Sequence, residues 1–534
     1  MQSAHHAAIN DVLAAHLSDG GPGMVAAIAQ HGRLLFRKAF GLAHVELGVP
    51  MAIDTPLPIA SISKQFTAMA ALLCAADGLL DIEAPIGHYL PELSPLQGAP
   101  TLRQLMTHQS GLHCHLDVAP LLTEMGAIRR DNFCLTLMSA LTTVNAAPGA
   151  WQCYGNSGFN LLAIAIERAS GKPFEQVVSE RIFTPLGMGS TRYFKGASRL
   201  RAGVASLYVR EEAPGGDGDG WINTSDIRTD NAGEGGIHST IDDLMIWARA
   251  LRCNDTRLPA ACWAALKTPA VLADGTPSRY GLGLALSCWR GLDLAGHGGD
   301  LFGLSSILLT VPDHGIDLVI IGNMPLPMET IARRILAAVI GEDRLAAAPQ
   351  AALTQDYQAL DGAVFEAADM LVRFGDMGGG LGCSVQGSPF LPVMLDDSGA
   401  LAIQSALGPV RLDLAGEGLR ITIGGETHDC RRAPPAPANA PTDATGDYRR
   451  PDTGTRITVE HAGDGLVARY PERFGLAASP MTPIAPDAFL FANALAGNYV
   501  ARLIRDGEGT VTGLRFDTTR TRNLLFDKMS SAGV

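Results

Sequence analysis

A chain of 534 residues is longer than one ordinary domain; at about 100–200 residues each it holds two to four. Its 47% hydrophobic and 18% charged residues exclude a disordered chain, and a net charge of −13, from 54 acids against 41 bases, argues against a surface that tracks nucleic-acid phosphates. No apolar run reaches the roughly 18–20 residues of a membrane span, and the first residues lack a basic stretch ahead of an apolar one, so neither a membrane anchor nor a leader is expected.

Ile9, Val12, Leu13 and Leu17 share a face, which predicts a helix over residues 6–17. "MVAAIAQHGRLLFRKAFG" (24–41) reads as two strands about a His-Gly turn. A helix follows from Ser61, with Phe66, Met69, Ala70, Leu73 and Cys74 on one side and Gly78 near its end. Thr101–Leu112 reads as a short helix entering a loop, and Phe159–Ser170 and Ser239–Leu251 as apolar helices, the last with Thr240 as N-cap. Near residue 300 the period changes. Ser305–Met324 reads as two apolar strands about Pro-Asp-His-Gly, and Met328–Gly341 as a helix. Helix-hairpin at one end and hairpin-helix at the other suit an antiparallel sheet covered by both terminal helices, with a helical cluster inserted.

Beyond Glu342 the texture shifts to short alternating runs with Gly turns, interrupted by the Pro/Ala-rich 431–448. Three domains are expected: 1–342 catalytic, 343–440 a small antiparallel β-barrel of lipocalin-like form, and 441–534 a second barrel. The nine cysteines are scattered without a CxxC pair and read as reduced thiols, hence a cytoplasmic protein.

Three short motifs carry the chemistry. In Ser61-Ile62-Ser63-Lys64 the first and last residues lie one helical turn apart, so hydroxyl and amine can meet. A serine hydroxyl needs a base to become a nucleophile, and a lysine in a dry helix start can be that base. An N-cap serine with a solvated lysine is the plain alternative, but the following "FTAMAALL" is apolar and implies burial. In Tyr154-Gly155-Asn156 a phenol can pass a proton to a leaving group and an amide can hold substrate; a simple turn is the alternative. His297-Gly298-Gly299 precedes an apolar strand, where glycines let a substrate backbone lie against a sheet edge. His113-Cys114-His115 spells a metal tract without a second ligand cluster, so no metal and no cofactor are expected.

Taken together and in this order, the motifs resemble the penicillin-recognising serine hydrolases: class C β-lactamases, DD-carboxypeptidases, esterases and D-aminopeptidases. "LRQLMTHQSGL", "ERIFTPLGM", "GEGGIHSTIDDLMIWARAL" and "YGLGLAL" agree, and the resemblance covers about residues 10–340. It implies an α+β sandwich with Ser61 as acylated nucleophile, Lys64 as proton acceptor, Tyr154 relaying the proton to the leaving amine and Asn156 holding substrate. Backbone N–H groups of Ser61 and Asp300 would form an oxyanion hole. Which of Lys64 and Tyr154 is the base stays open.

β-Lactamases and DD-carboxypeptidases usually carry a lysine followed by Thr or Ser at the third motif, which grips a substrate carboxylate. His297 and Gly298 stand there instead, and a neutral imidazole is a poor clamp. The resemblance is therefore nearest to the D-aminopeptidase branch, which adds two β-barrels, and "TGDYRRPDTG" and "RDGEGTVTGL" in the tail agree. That branch implies a substrate that is a small peptide, amide or ester with an N-terminal D-residue, no nucleic-acid or membrane partner, and a homodimer. It also implies a last-barrel loop reaching the site, here near Asn493–Asn498, shorter and without its acid. Asp300 is then a candidate for pairing with a substrate ammonium. An esterase or weak β-lactamase is the alternative on the same machinery, and a non-catalytic β-lactam or peptidoglycan-fragment binder the alternative of another class.

Overall fold

The His-Gly pair that separates the first two apolar runs does turn a hairpin, because both residues adopt positive φ, 50° at His31 and 78° at Gly32. In the computed structural model, which describes residues 2–122, 132–194, 203–210, 220–225, 232–395, 399–437, 439–472, 475–493 and 497–530, α1 (Gln2–Ala14) precedes β1 (Met24–Gln30) and β2 (Arg33–Phe40). Then come α2 (Ser63–Ala76), α3 (Ser157–Ser170) and α4 (Ile241–Cys253). The segment ends with β3 (Ala285–Trp289), β4 (Leu292–Leu301), β5 (Leu304–Val311), β6 (Ile316–Gly322) and α5 (Met328–Ile340).

The chain divides into two compact units. The first comprises Met1–Ala84, Phe159–Ala270 and Arg279–Ala348. Its sheet has the order β3-β4-β5-β6-β1-β2. β1 and β6 pair antiparallel in its middle, Ala27 opposite Val319, so the two ends of the segment meet by hydrogen bonding. Ile9 and Leu13 of α1 and Ile331, Ile335 and Leu336 of α5 share one core with Ile28, Leu318 and Ile320, which puts both terminal helices on one face as the pattern predicts. Side chains alternate along a strand, so Asp317 points to the other face, where Arg252 of α4 clamps its buried carboxylate at 2.7 and 2.9 Å. Thr240 caps α4 by accepting from the N–H of Asp243.

The second unit comprises Pro85–Gly158, Val271–Ser278 and Pro349–Val534, so residues 85–158 group with the β-rich part of the chain. Leu102–Met106 is helical behind a capping box, Thr101 accepting from Gln104 N–H and Gln104 from Thr101 N–H. From Gln350 to Arg432 the strands form a ten-stranded antiparallel sheet about a core that includes Phe365, Phe374, Leu401 and Ile421. Three strands of this row are two-residue strands, Gln350–Ala351, Leu391–Pro392 and Met394–Leu395. From Gly446 to Lys528 eight strands make a closed barrel, shut by Tyr448 opposite Lys528. No described helix is long and apolar enough to cross a membrane.

Candidate active site

In the first unit, a 3-10 turn, Ala60–Ile62, leads into α2. Ala60 has φ 48°, a left-handed conformation that costs a non-glycine residue about 1 kcal/mol. Past that strained corner, Lys64 is fully buried and its Nζ lies 2.9 Å from Ser61 Oγ. The second serine of the motif is not available in this way: Ser63 accepts the Ile237 N–H at 3.2 Å and so ties α2 to the strand before α4.

The segment before that strand closes over Lys64. Lys64 Nζ donates to the carbonyl of Glu234 at 3.2 Å, and Thr67 donates to the carbonyl of Gly233 at 2.6 Å. Only glycine fits at 233, since a Cβ there would lie 2.4 Å from the carbonyl oxygen of Phe159 on α3. The phenyl ring of Phe159 lies 5.6 Å from Nζ. The Glu234 side chain is buried too, accepting from Asn160 Nδ2 at 3.3 Å and from Ala232 N–H at 3.1 Å. Burial pushes its carboxyl up to about 7, although the Lys64 charge pulls the other way.

This buried acid has a measurable signature. Folding raises Glu234 from 4.5 to about 7, so the native state keeps a proton that the unfolded chain releases. Its contribution to stability is full below the unfolded value and is lost as pH rises to the folded one. Glu234→Gln removes that loss. The stability of the variant relative to wild type is expected to rise between about pH 5 and about pH 8 in denaturant titrations. A difference that stays flat across that range would rule out a neutral buried acid.

β4 brings the third motif to the same cluster. β3 pairs with β4 only up to Gly296, opposite Ala285, so among the described strands His297–Leu301 pairs with β5 alone. Gly299 permits contact with the turn that carries Ser61: a Cβ there would sit 2.5 Å from the Ile59 carbonyl oxygen and 3.1 Å from Ala60 Cβ. Ser306 of β5 reinforces the contact by donating to the same Ile59 carbonyl at 3.0 Å. His297, buried, has its Nδ1 on the carbonyl oxygen of Gly298, so that nitrogen carries the proton and Nε2 accepts from Tyr280 OH at 2.8 Å. Burial, and then the charge of Lys64, push the imidazole down to about 3. His297 is thus a neutral strut of the strand, with both ring nitrogens engaged, and not a cation.

Asp300 does not join this cluster. By alternation it shares a face with Gly298, opposite His297 and Gly299, and its carboxylate accepts from Ser305 Oγ at 2.8 Å. Gly298 and Asp300 are exposed, while His297 and Gly299 are buried.

Tyr154 and Asn156 belong to the second unit. His108, itself at φ 59°, accepts the Gly155 N–H on Nδ1 at 3.2 Å and sets its ring 4.3 Å from that of Tyr154. Gln152 N–H donates to the carbonyl of Gly424 at 2.8 Å, and Asn156 Nδ2 donates to Cys114 Sγ at 3.6 Å. A loop of the closed barrel, residues 518–523, is bonded to this segment. Cys153 Sγ donates to the Thr519 carbonyl at 3.3 Å, and Cys114 N–H to Thr521 Oγ1 at 3.1 Å. Asn493 and Asn498 sit instead on a neighbouring hairpin, with 494–496 outside the described residues, and Asn498 lies against Gly387 of the ten-stranded sheet. The loop bonded to the Tyr154 segment is 518–523, and the loop expected near Asn493–Asn498 falls on 494–496, outside the described residues.

The His113-Cys114-His115 tract is consumed by the protein's own bonds. His113 contacts Asn145 and Thr143 at 2.6 and 3.1 Å, His115 contacts Ser157, and burial pushes His113 down to about 4. Asp369, Glu426 and His428 bring ligand atoms within 4.8 Å of one another. Arg522 Nη1 already bridges both carboxylates, at 3.3 and 2.8 Å, and so puts its charge where a cation would stand.

Residues 9–342 match the signature of the Beta-lactamase family. The chain belongs to the β-lactamase family. The enzyme class that the motif order implied, a hydrolase of the penicillin-binding and β-lactamase group, stands with it. This β-lactamase-family chain is 28% identical to a D-aminopeptidase of Cereibacter sphaeroides over 542 residues, covering 94% of this chain and 95% of that one. Its fold is similar to that of an octameric penicillin-binding protein homologue from Pyrococcus abyssi, with a TM-score of 0.55, 18% identity, and coverage of 97% and 99%. It is also similar to the D-amino acid amidase of Ochrobactrum anthropi SV3, with a TM-score of 0.54 and 24% identity, covering 63% of this chain and 99% of that one.

Glu234, Asn160 and Tyr280 were not singled out from sequence. Glu234 and Tyr280 lie in stretches that resemble the family, and an acid inside a glycine run, "GEGG", was the one local hint. Asn160 carries no such signal within the apolar "FNLLAIAI".

Proposed function

We propose that this protein releases N-terminal D-amino acids from small peptides or amides through an acyl-enzyme on Ser61. The observation that carries the reading is the 2.9 Å approach of Ser61 Oγ to the fully buried Lys64 Nζ. Ser61 attacks the substrate carbonyl and its proton passes to Lys64 or Tyr154. The same pair returns a proton to the leaving amine as the C–N bond breaks, and water then frees the acid and restores Ser61. Tyr154 and Asn156 enter this scheme on their motif, and the N–H groups of Ser61 and Asp300 as donors to the oxyanion. The neutral His297 supports a substrate without the carboxylate that a lysine at that place would grip. The relatives named D-aminopeptidase support the D-residue. Nine thiols support a cytoplasmic location, and the D-aminopeptidase resemblance supports a homodimer.

Alanine p-nitroanilides of both hands, with nitrocefin and p-nitrophenyl acetate beside them, test the reading. The D-anilide is expected to turn over at least about tenfold faster than the L-form, and Ser61→Ala to lose that turnover by about 10³-fold or more. An enzyme that hydrolyses only the ester or the lactam would move the assignment to those classes.

A further inference from the structure

The barrel loop at 518–523 is bonded at two points to the segment that bears the second motif, and Arg520 lies between them. Residue 519 holds Cys153, next to Tyr154, and residue 521 holds Cys114, which Asn156 touches. Asn145 clamps the loop between these points, donating to the Arg520 carbonyl at 2.9 Å and accepting the Arg522 N–H at 2.8 Å. Asp117, fully buried, engages the guanidinium through Nε at 3.2 Å and through Nη2, and Thr518 donates to the same carboxylate at 2.6 Å. The Nε–Nη2 edge of the guanidinium is thereby fixed. Nη1 has no hydrogen-bond partner among the described residues, and the side chain is 29% exposed. A guanidinium whose plane is set by a buried acid and whose outer nitrogen is open is organised in advance to accept a carboxylate oxygen. Arg522, two residues on, is committed to Asp369 and Glu426 and is 5% exposed.

We propose that Arg520 is a specificity residue that receives the carboxylate of a leaving α-amino acid, so that the preferred substrates are dipeptides with a free C-terminus. The proposal rests on the function proposed above. If Tyr154 hands its proton to the leaving amine, that nitrogen comes to the phenol, and in a leaving amino acid the carboxylate is one carbon beyond it. Within the second unit, a cation on the loop bonded to residue 153 is suited to meet that carboxylate. The charge of Arg520 and the Tyr154 phenol do feel one another.

The test compares D-alanyl-D-alanine with D-alanyl-D-alaninamide, which differ only in the terminal charge, on the purified full chain with products separated by chromatography. Wild type is expected to favour the free acid by about tenfold or more in kcat/KM. Arg520→Gln is expected to shrink that ratio by about tenfold or more, and Arg520→Lys to keep part of it. Asp117→Asn, which unpins the guanidinium, is expected to raise KM for the acid more than for its amide. Cleavage of both substrates at equal rates by wild type overturns the carboxylate proposal and leaves the aminopeptidase reading in place. Cleavage of neither overturns both. An equal fall for both substrates in Arg520→Gln marks Arg520 as a structural staple only. Equal rates in wild type overturn the proposal even if the variants fail to fold.

Discussion

Lys64→Met is expected to lower kcat/KM by about 10³-fold, within the roughly 10²–10⁴ that a positioned proton acceptor contributes. Methionine reproduces most of the buried stem of a lysine, so the packing against Phe159 and the body of α2 survive and the loss falls on the amine. Ser61 then has no acceptor at 2.9 Å, and the 3.2 Å bond that draws the Glu234 carbonyl inward disappears with it. Stopped-flow assays with a D-anilide are expected to lose the acylation burst altogether. Turnover within tenfold of wild type, with the circular dichroism unchanged, would show that Ser61 is activated by something else. Lys64→Arg is no substitute, since a guanidinium does not surrender its proton at working pH.

Gly299→Val is expected to damage both stability and rate. Its first added carbon would lie 2.5 Å from the Ile59 carbonyl oxygen, a backbone atom that cannot rotate away, and 2.5 Å from Ser306 Oγ. Relief requires β4 to separate from the turn that carries Ser61. Overpacking of this kind costs about 1–3 kcal/mol. A shift of even about 1 Å between nucleophile and strand costs about 10²-fold in rate. Gly298→Ala is the matched control for stability: its Cβ would meet nothing closer than the Ser306 carbonyl oxygen at 3.8 Å, and a cost below about 0.5 kcal/mol is expected. Thermal unfolding of the pair reads the contrast directly. Equal melting temperatures would mean that β4 does not press on the Ser61 turn.

Both predictions concern residues legible in the sequence, yet their reasons are not. Helical spacing places Ser61 and Lys64 one turn apart, and that proximity is local. Nothing local says that the carbonyl receiving Lys64 is 170 residues away, or that the histidine of the third motif is kept neutral by burial and by the charge of Lys64. The side to which Asp300 points is not a local property either. Strand alternation depends on register, and the register of β4 is set by its pairing with β5 and by glycines that let it approach the Ser61 turn. The barrel loop was missed because its attachments span 366 and 407 residues.

What the amino-acid order determined by itself was short in range. It covers the hairpins at residues 24–41 and 305–324, the helices at either end of the sandwich, the hydroxyl–amine pair one turn apart and the order of the three motifs. Periodicity and i,i+3 neighbourhood are properties of a few consecutive residues, so a string of letters carries them. Tertiary structure alone decided that Glu234 is a buried acid beside Lys64, that His297 supports a strand without clamping a charge, and that loop 518–523 stands by Tyr154. Each of these depends on desolvation or on hydrogen bonds between distant segments, and burial exists only once the chain has closed around the group.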